Sequence, residues 1–160
     1  MVTVPCINDR GPSSVRVLIV EDYEPFRRFV CSTLGKRSEL QIIGEASDGL
    51  EAVHKSEKLN PDLILLDVGL PTLNGIDAAR QIRKRCPESK ILFVSQETSG
   101  DVVEEVFRIG ALGYVVKAHA GSELLAAVDA VCHGRKFVGS GSTGLDLTEV
   151  HPSRPLASPR

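Results

Sequence analysis

A chain of 160 residues, 42% of them hydrophobic, has the length and apolar content for one domain with a sizeable core. Nineteen Lys and Arg against 21 Asp and Glu leave a formal net charge of −2, so no basic field favours a nucleic-acid backbone, and no apolar run approaches the roughly 18 residues of a membrane span. Direct nucleic-acid and membrane partners are therefore not expected.

Residues 1–14 have Arg10 as their one basic residue and no apolar stretch, so they read as a flexible segment rather than a secretion signal, and the expected location is cytoplasmic. From Val15 onward, short β-branched or Leu-rich runs alternate with segments of helical period. Val15–Val20 is the first predicted strand, and Pro25 then suits the first turn of a helix carrying Phe26, Phe29, Val30 and Leu34. Leu40–Ala46 is the second strand, followed by a helix that stops at Asn60-Pro61. Leu63–Asp67 is the third, with Ile76, Ala79 and Ile82 on the helix after it and Cys86-Pro87 as its stop. Lys90–Ser95 precedes a helix with Val102, Val103, Val106 and Phe107, ended by Gly110. Gly113–Val116 is the fifth strand, and the last helix buries Leu124, Leu125, Val128, Val131 and Cys132 before Gly134.

Five βα units in series predict a five-stranded parallel sheet of order 2-1-3-4-5 with helices on both faces. The domain is expected over 15–137. Residues 138–160 read as a flexible tail, in which Leu145-Asp146-Leu147 is the one candidate docking peptide. Cys6, Cys31, Cys86 and Cys132 form no Cys-x-x-Cys pair, and the four histidines show no metal-ligand spacing, so reduced thiols and no zinc site are expected.

The chemistry gathers at strand ends. Glu21-Asp22 follows the first strand and Asp67 ends the third, and in a parallel sheet ligands collect at that carboxyl edge. Two unit charges ~4 Å apart repel by about 4 kcal/mol at an effective dielectric of ~20, so three carboxylates together imply a cation. Oxygen ligands without Cys or His favour Mg²⁺ over Zn²⁺. Ser95 and Lys117 end the fourth and fifth runs, adding a hydroxyl and an ammonium suited to phosphoryl oxygens.

With these residues in this order, the stretch from Val15 to Gly134 resembles the response-regulator receiver domains of two-component signalling. Val17–Asp22, the run DLILLDVGLPTLNG over 62–75, Ser95, and GALGYVVK over 110–117 carry the resemblance. It implies a flavodoxin-like (βα)5 switch in which a histidine kinase or phosphotransfer protein phosphorylates Asp67. Mg²⁺ would be held by Asp22, Asp67 and the backbone carbonyl of Gly69, with Glu21 acting through water. Ser95 and Lys117 would contact the phosphoryl group, and Ser95 with Tyr114, the aromatic that turns inward, would form the switch. The last two helices and the strand between them would be the output face, and a homodimer is among the partners the family allows. A receiver is a phosphoprotein rather than an enzyme, its chemistry confined to its own phosphorylation and dephosphorylation.

The phrase around Tyr114 and the ending His133–Phe137 look most like receivers coupled to helix-turn-helix effectors, yet no effector pattern follows in this sequence. A stand-alone regulator with an unknown downstream protein partner, or a phosphate sink, is the resulting expectation. Two other readings remain: a pseudo-receiver that binds proteins without being phosphorylated, and a Mg²⁺-dependent phosphohydrolase of the haloacid-dehalogenase type, which would need a second Asp where Gly69 stands. The family often has Pro after the fifth-strand lysine, whereas Ala118 follows Lys117 here, so a trans peptide and a differently shaped loop are expected. Tyr114 has a plainer reading as a partly packed aromatic with its hydroxyl in water.

Overall fold

The computed structural model describes residues 14–141. Six strands, all parallel, form one sheet of order β2-β1-β3-β4-β5-β6. The strands are β1 (Val15–Val20), β2 (Leu40–Ala46), β3 (Leu63–Leu66), β4 (Lys90–Ser95), β5 (Gly113–Val116) and β6 (Phe137–Val138). The helices are α1 (Glu24–Leu34), α2 (Gly49–Leu59), α3 (Gly75–Arg85), α4 (Gly100–Arg108) and α5 (Ala120–Cys132).

The order expected for five strands holds, with a correction at the edge: β6 is a sixth strand, so the sheet is not five-stranded. β6 pairs with β5 through Phe137 opposite Gly113 and Val138 opposite Tyr114. Two residues are too few for a period-2 pattern, so the sequence reading leaves Phe137 at the end of the domain and Val138 in the tail. β6 accordingly crosses the 137/138 boundary set from the sequence. The candidate peptide Leu145-Asp146-Leu147 lies outside the described residues.

Two apolar layers sandwich the sheet. Leu18, Ile64, Leu66, Ile91 and Phe93 face α2, α3 and α4 with Ala52, Val53, Ala78, Ile82, Val106 and Phe107. Val17, Ile19, Leu63, Leu65 and Leu92 face α1 and α5 with Val30, Leu34, Leu124, Val128 and Val131. Burial on both faces explains why β3 reads as an unbroken Leu-Ile-Leu-Leu run rather than as an alternation.

Local chemistry starts the helices where the sequence changes period. Asp48, Asn74 and Ser99 each accept a backbone N–H in the first turn of α2, α3 and α4, and Pro25 sits in the first turn of α1. Three arginines of α3 have defined partners. Arg80 pairs with Asp77 and Glu105, Arg85 pairs with Glu57, and Arg83 donates to the carbonyls of Pro87 and Ser89. Among the described residues no peptide bond is cis, so Lys117-Ala118 is trans, and Lys117–His119 form a single 3-10 turn leading into α5. The same residues contain no helix long and apolar enough to cross a membrane.

Candidate functional site

Because β1 pairs with β2 on one side and β3 on the other, the chain leaves the sheet in opposite directions beyond these two strands, opening a crevice at their carboxyl ends. A cleft of about 660 Å³ lies there, lined by Glu21, Asp22, Tyr23, Phe26, Asp67, Val68, Gly69, Ser95, Gln96, Glu97 and Lys117. Every predicted site residue except Tyr114 is in that lining, and Tyr114 lies behind it.

The loop after β3 fixes Asp67. Gly75 N–H donates to the Val68 carbonyl at 2.7 Å, and Gly69 N–H donates to Asp67 Oδ1 at 3.3 Å. The return is so close that a Cβ at Gly75 would stand 1.9 Å from the Asp67 carbonyl oxygen. Glycine is therefore the residue that lets α3 start directly behind Asp67.

Carboxylate oxygens of Glu21, Asp22 and Asp67 all come within 4.8 Å of one another. Glu21 and Asp67 are 3% and 5% exposed, while Asp22 is open to solvent. The Lys117 ammonium reaches in from the end of β5, 3.0 Å from Glu21 and 3.1 Å from Asp67 Oδ2, with its side chain 14% exposed. Burial by itself lowers the Lys117 pKa, but the two carboxylates more than offset this and hold it above its usual value. Glu21 is pushed above the usual carboxylate range, first by burial and then by the charge of Asp67, against the opposing bonds from Lys117 and the Tyr23 N–H. One ammonium thus faces three carboxylates, and the site retains negative charge. An all-oxygen donor set with excess negative charge and an open, solvated member fits a hard divalent cation such as Mg²⁺.

Ser95, buried at the end of β4, accepts the N–H of Glu97 at 3.3 Å. Tyr114 is fully buried, and its hydroxyl donates to the Glu97 carbonyl at 2.8 Å. Burial pushes that hydroxyl up to about 12, with the Ser95 hydroxyl opposing the shift. Its ring stacks against Phe93 with centroids 6.4 Å apart. The partly packed, water-facing reading of Tyr114 is therefore corrected: the ring has no exposed edge, and a main-chain carbonyl replaces water.

Sequence reasoning missed several contributors. The Phe26 ring lies 4.8 Å beneath the Lys117 ammonium, although its helical spacing marked it as core. Arg27 donates to the Glu21 carbonyl at 2.8 Å and pairs with Glu45, fixing the acidic turn from below. The Tyr23 N–H donates to Glu21 at 3.1 Å. Neither a side-chain motif nor a charge pattern announces such contacts; the one available signal was proximity to Glu21-Asp22 in the chain.

The family model of the response regulator receiver domain matches residues 17–129. The chain is 32% identical over 126 residues to the transcriptional regulatory protein DegU of Brevibacillus brevis, covering 79% of this chain and 53% of the relative. It is 32% identical over 145 residues to the transcriptional regulatory protein LiaR of Bacillus subtilis, covering 91% of this chain and 69% of the relative. The chain thus spans about half the length of DegU and just over two thirds of LiaR. The solved signal receiver domain of the putative response regulator NarL from Mycobacterium tuberculosis superposes with a TM-score of 0.73 at 29% identity, covering 78% of this chain and all of that one. With the acidic crevice, the strand order and the family model in agreement, the chain belongs to the response regulator receiver domain family.

Proposed function

We propose that this receiver is a phosphorylation switch in which Asp67 accepts a phosphoryl group from a histidine kinase or phosphotransfer protein. The observation that carries the proposal is the Lys117 ammonium held between Glu21 and Asp67 at the mouth of the crevice, a fixed positive charge beside a buried carboxylate that remains open to a donor. An Asp67 oxygen attacks the phosphorus, the phosphorus–nitrogen bond of the donor phosphohistidine breaks, and the imidazole leaves with the bonding pair. The product is an acyl phosphate on Asp67.

Asp22, Asp67 and the Gly69 carbonyl would hold Mg²⁺, with Glu21 acting through water. When bound, that cation supplies positive charge to the phosphoryl oxygens. Lys117 orients the nucleophile and then pairs with the transferred group, while the Ser95 hydroxyl donates to a phosphoryl oxygen. Ser95 and Tyr114 are both tied to Glu97, so a shift of Ser95 towards the phosphoryl group bears on Tyr114 through one residue. Phosphorylation then redistributes two conformations, which requires that the phosphoryl group interact differently with each.

The downstream partner in this reading is a protein or a second copy of the chain rather than nucleic acid, in keeping with the slightly acidic balance. The protein works in the cytoplasm as a switch rather than as an enzyme on external substrates. Borohydride reduction of the protein after treatment with acetyl phosphate and Mg²⁺ tests the residue assignment, because reduction converts an aspartyl phosphate to homoserine. Peptide mapping should find homoserine at 67. Homoserine at another carboxylate, or nowhere, would refute the assignment.

A further inference from the structure

β6 follows α5 after a four-residue connection and adds its two residues to the outer edge of β5. Phe137 N–H donates to the Leu112 carbonyl at 2.9 Å, and Gly139 N–H donates to the Tyr114 carbonyl at 2.8 Å. Because alternate residues of a strand face opposite ways, Phe137 packs into the layer beneath α5 and Val138 into the layer containing Tyr114, Val106 and Phe107. Lys136 lies 5.6 Å over the Phe107 ring of α4. The segment therefore closes both sides of the sheet edge at the position of Tyr114.

Its far end is latched by one side chain. Glu123, on the first turn of α5, accepts both the N–H of Ser140 at 3.2 Å and the Ser140 hydroxyl. The other Glu123 oxygen is buried and accepts no hydrogen bond among the described residues. A Cβ at Gly139 would stand 2.6 Å from that oxygen, so the absence of a side chain at 139 lets the carboxylate come this close. A latch with one oxygen satisfied and the other desolvated with no partner among the described residues is weaker than a fully bonded one, and opening it returns that oxygen to water.

We propose that Phe137–Ser140 is a strap, latched by Glu123, that keeps Tyr114 turned into the core. The strap bonds to Tyr114 through the main chain, and the Tyr114 hydroxyl bonds to Glu97 at the rim of the acidic cleft. A single residue thus touches both the strap and the cleft. Unlatching removes the Val138 cover and the Gly139 bond together, and the ring gains access to solvent. That the strap bears on signalling rests on the phosphorylation switch proposed above; the seating of the strap and the shielding of Tyr114 do not, and both are measured without a phosphodonor.

Tyr23 and Tyr114 are the two tyrosines and tryptophan is absent, so in the full chain carrying Tyr23→Phe the intrinsic fluorescence belongs to Tyr114. Acrylamide quenching of that protein is compared with its Glu123→Ala and Gly139→Pro versions. Exchange of the Phe137 amide reports the strap, and amide protection in β3 reports the fold. Both variants should expose the Phe137 amide and raise the quenching constant several-fold while β3 stays protected. A Phe137 amide that remains protected in Glu123→Ala would show that Glu123 is no latch. An exposed strap with Tyr114 still shielded would show that the strap does not hold the ring, and either result overturns the proposal.

Discussion

Lys117 and Gly75 do opposite kinds of work at the same carboxylate. Lys117 acts through its charge, standing 3.1 Å from Asp67, whereas Gly75 acts through an absent side chain that lets the backbone pass behind Asp67. Gly75→Ala should force the β3–α3 turn to move, because the clash is with main chain rather than with a flexible side-chain end. Overpacking of this kind costs about 3 kcal/mol at the upper end of its usual range. A urea titration should show a clearly lower midpoint with an unchanged slope, and an unchanged midpoint would contradict the account of the turn. At this scale the sequence was informative about chemistry and silent about contact. Glu21, Asp22, Asp67, Ser95 and Lys117 could be named because each ends an apolar run, whereas Phe26 under Lys117 and Arg27 under Glu21 depend on how α1 rotates against β1, which no local pattern encodes.

Among the elements, α4 stands apart. It is held by Val103, Val106 and Phe107 in the core and by the ion pair of Glu105 with Arg80 of α3, while Arg108 of α4 itself also pairs with Glu105. Burial would raise the Glu105 pKa, but the two guanidiniums prevail and hold it below its usual value. A carboxyl depressed by folding contributes stability above its unfolded pKa near 4.5, and loses that contribution as pH falls through the lower folded value. Amide exchange in α4 should therefore quicken relative to β3 as pH drops below about 4.5, after correction for intrinsic rates. Glu105→Gln should remove that pH dependence, and a variant that retained it would locate the clamp elsewhere. The elements themselves were legible because capping residues and stop signals coincide with changes of period. β6 was not, since a two-residue strand is recruited by the open edge of β5 rather than by its own propensity.

Over the whole molecule, the alternation of strand and helix dictates the parallel sheet, and the sheet brings the ends of β1, β3, β4 and β5 to one rim. Residues 96 positions apart, Glu21 and Lys117, meet there because the topology reverses between β1 and β3. This is why the order of the strand-ending residues was informative when no single one was. The central claim is that the rim accepts a phosphoryl group, and intact mass after incubation with acetyl phosphate and Mg²⁺ tests it most directly, alongside Asp67→Asn and a Mg²⁺-free control. The account predicts the gain of one phosphoryl group, lost in both controls. No gain in a folded protein that a histidine kinase also fails to phosphorylate would contradict it, and would leave a receiver that binds its partners without being phosphorylated.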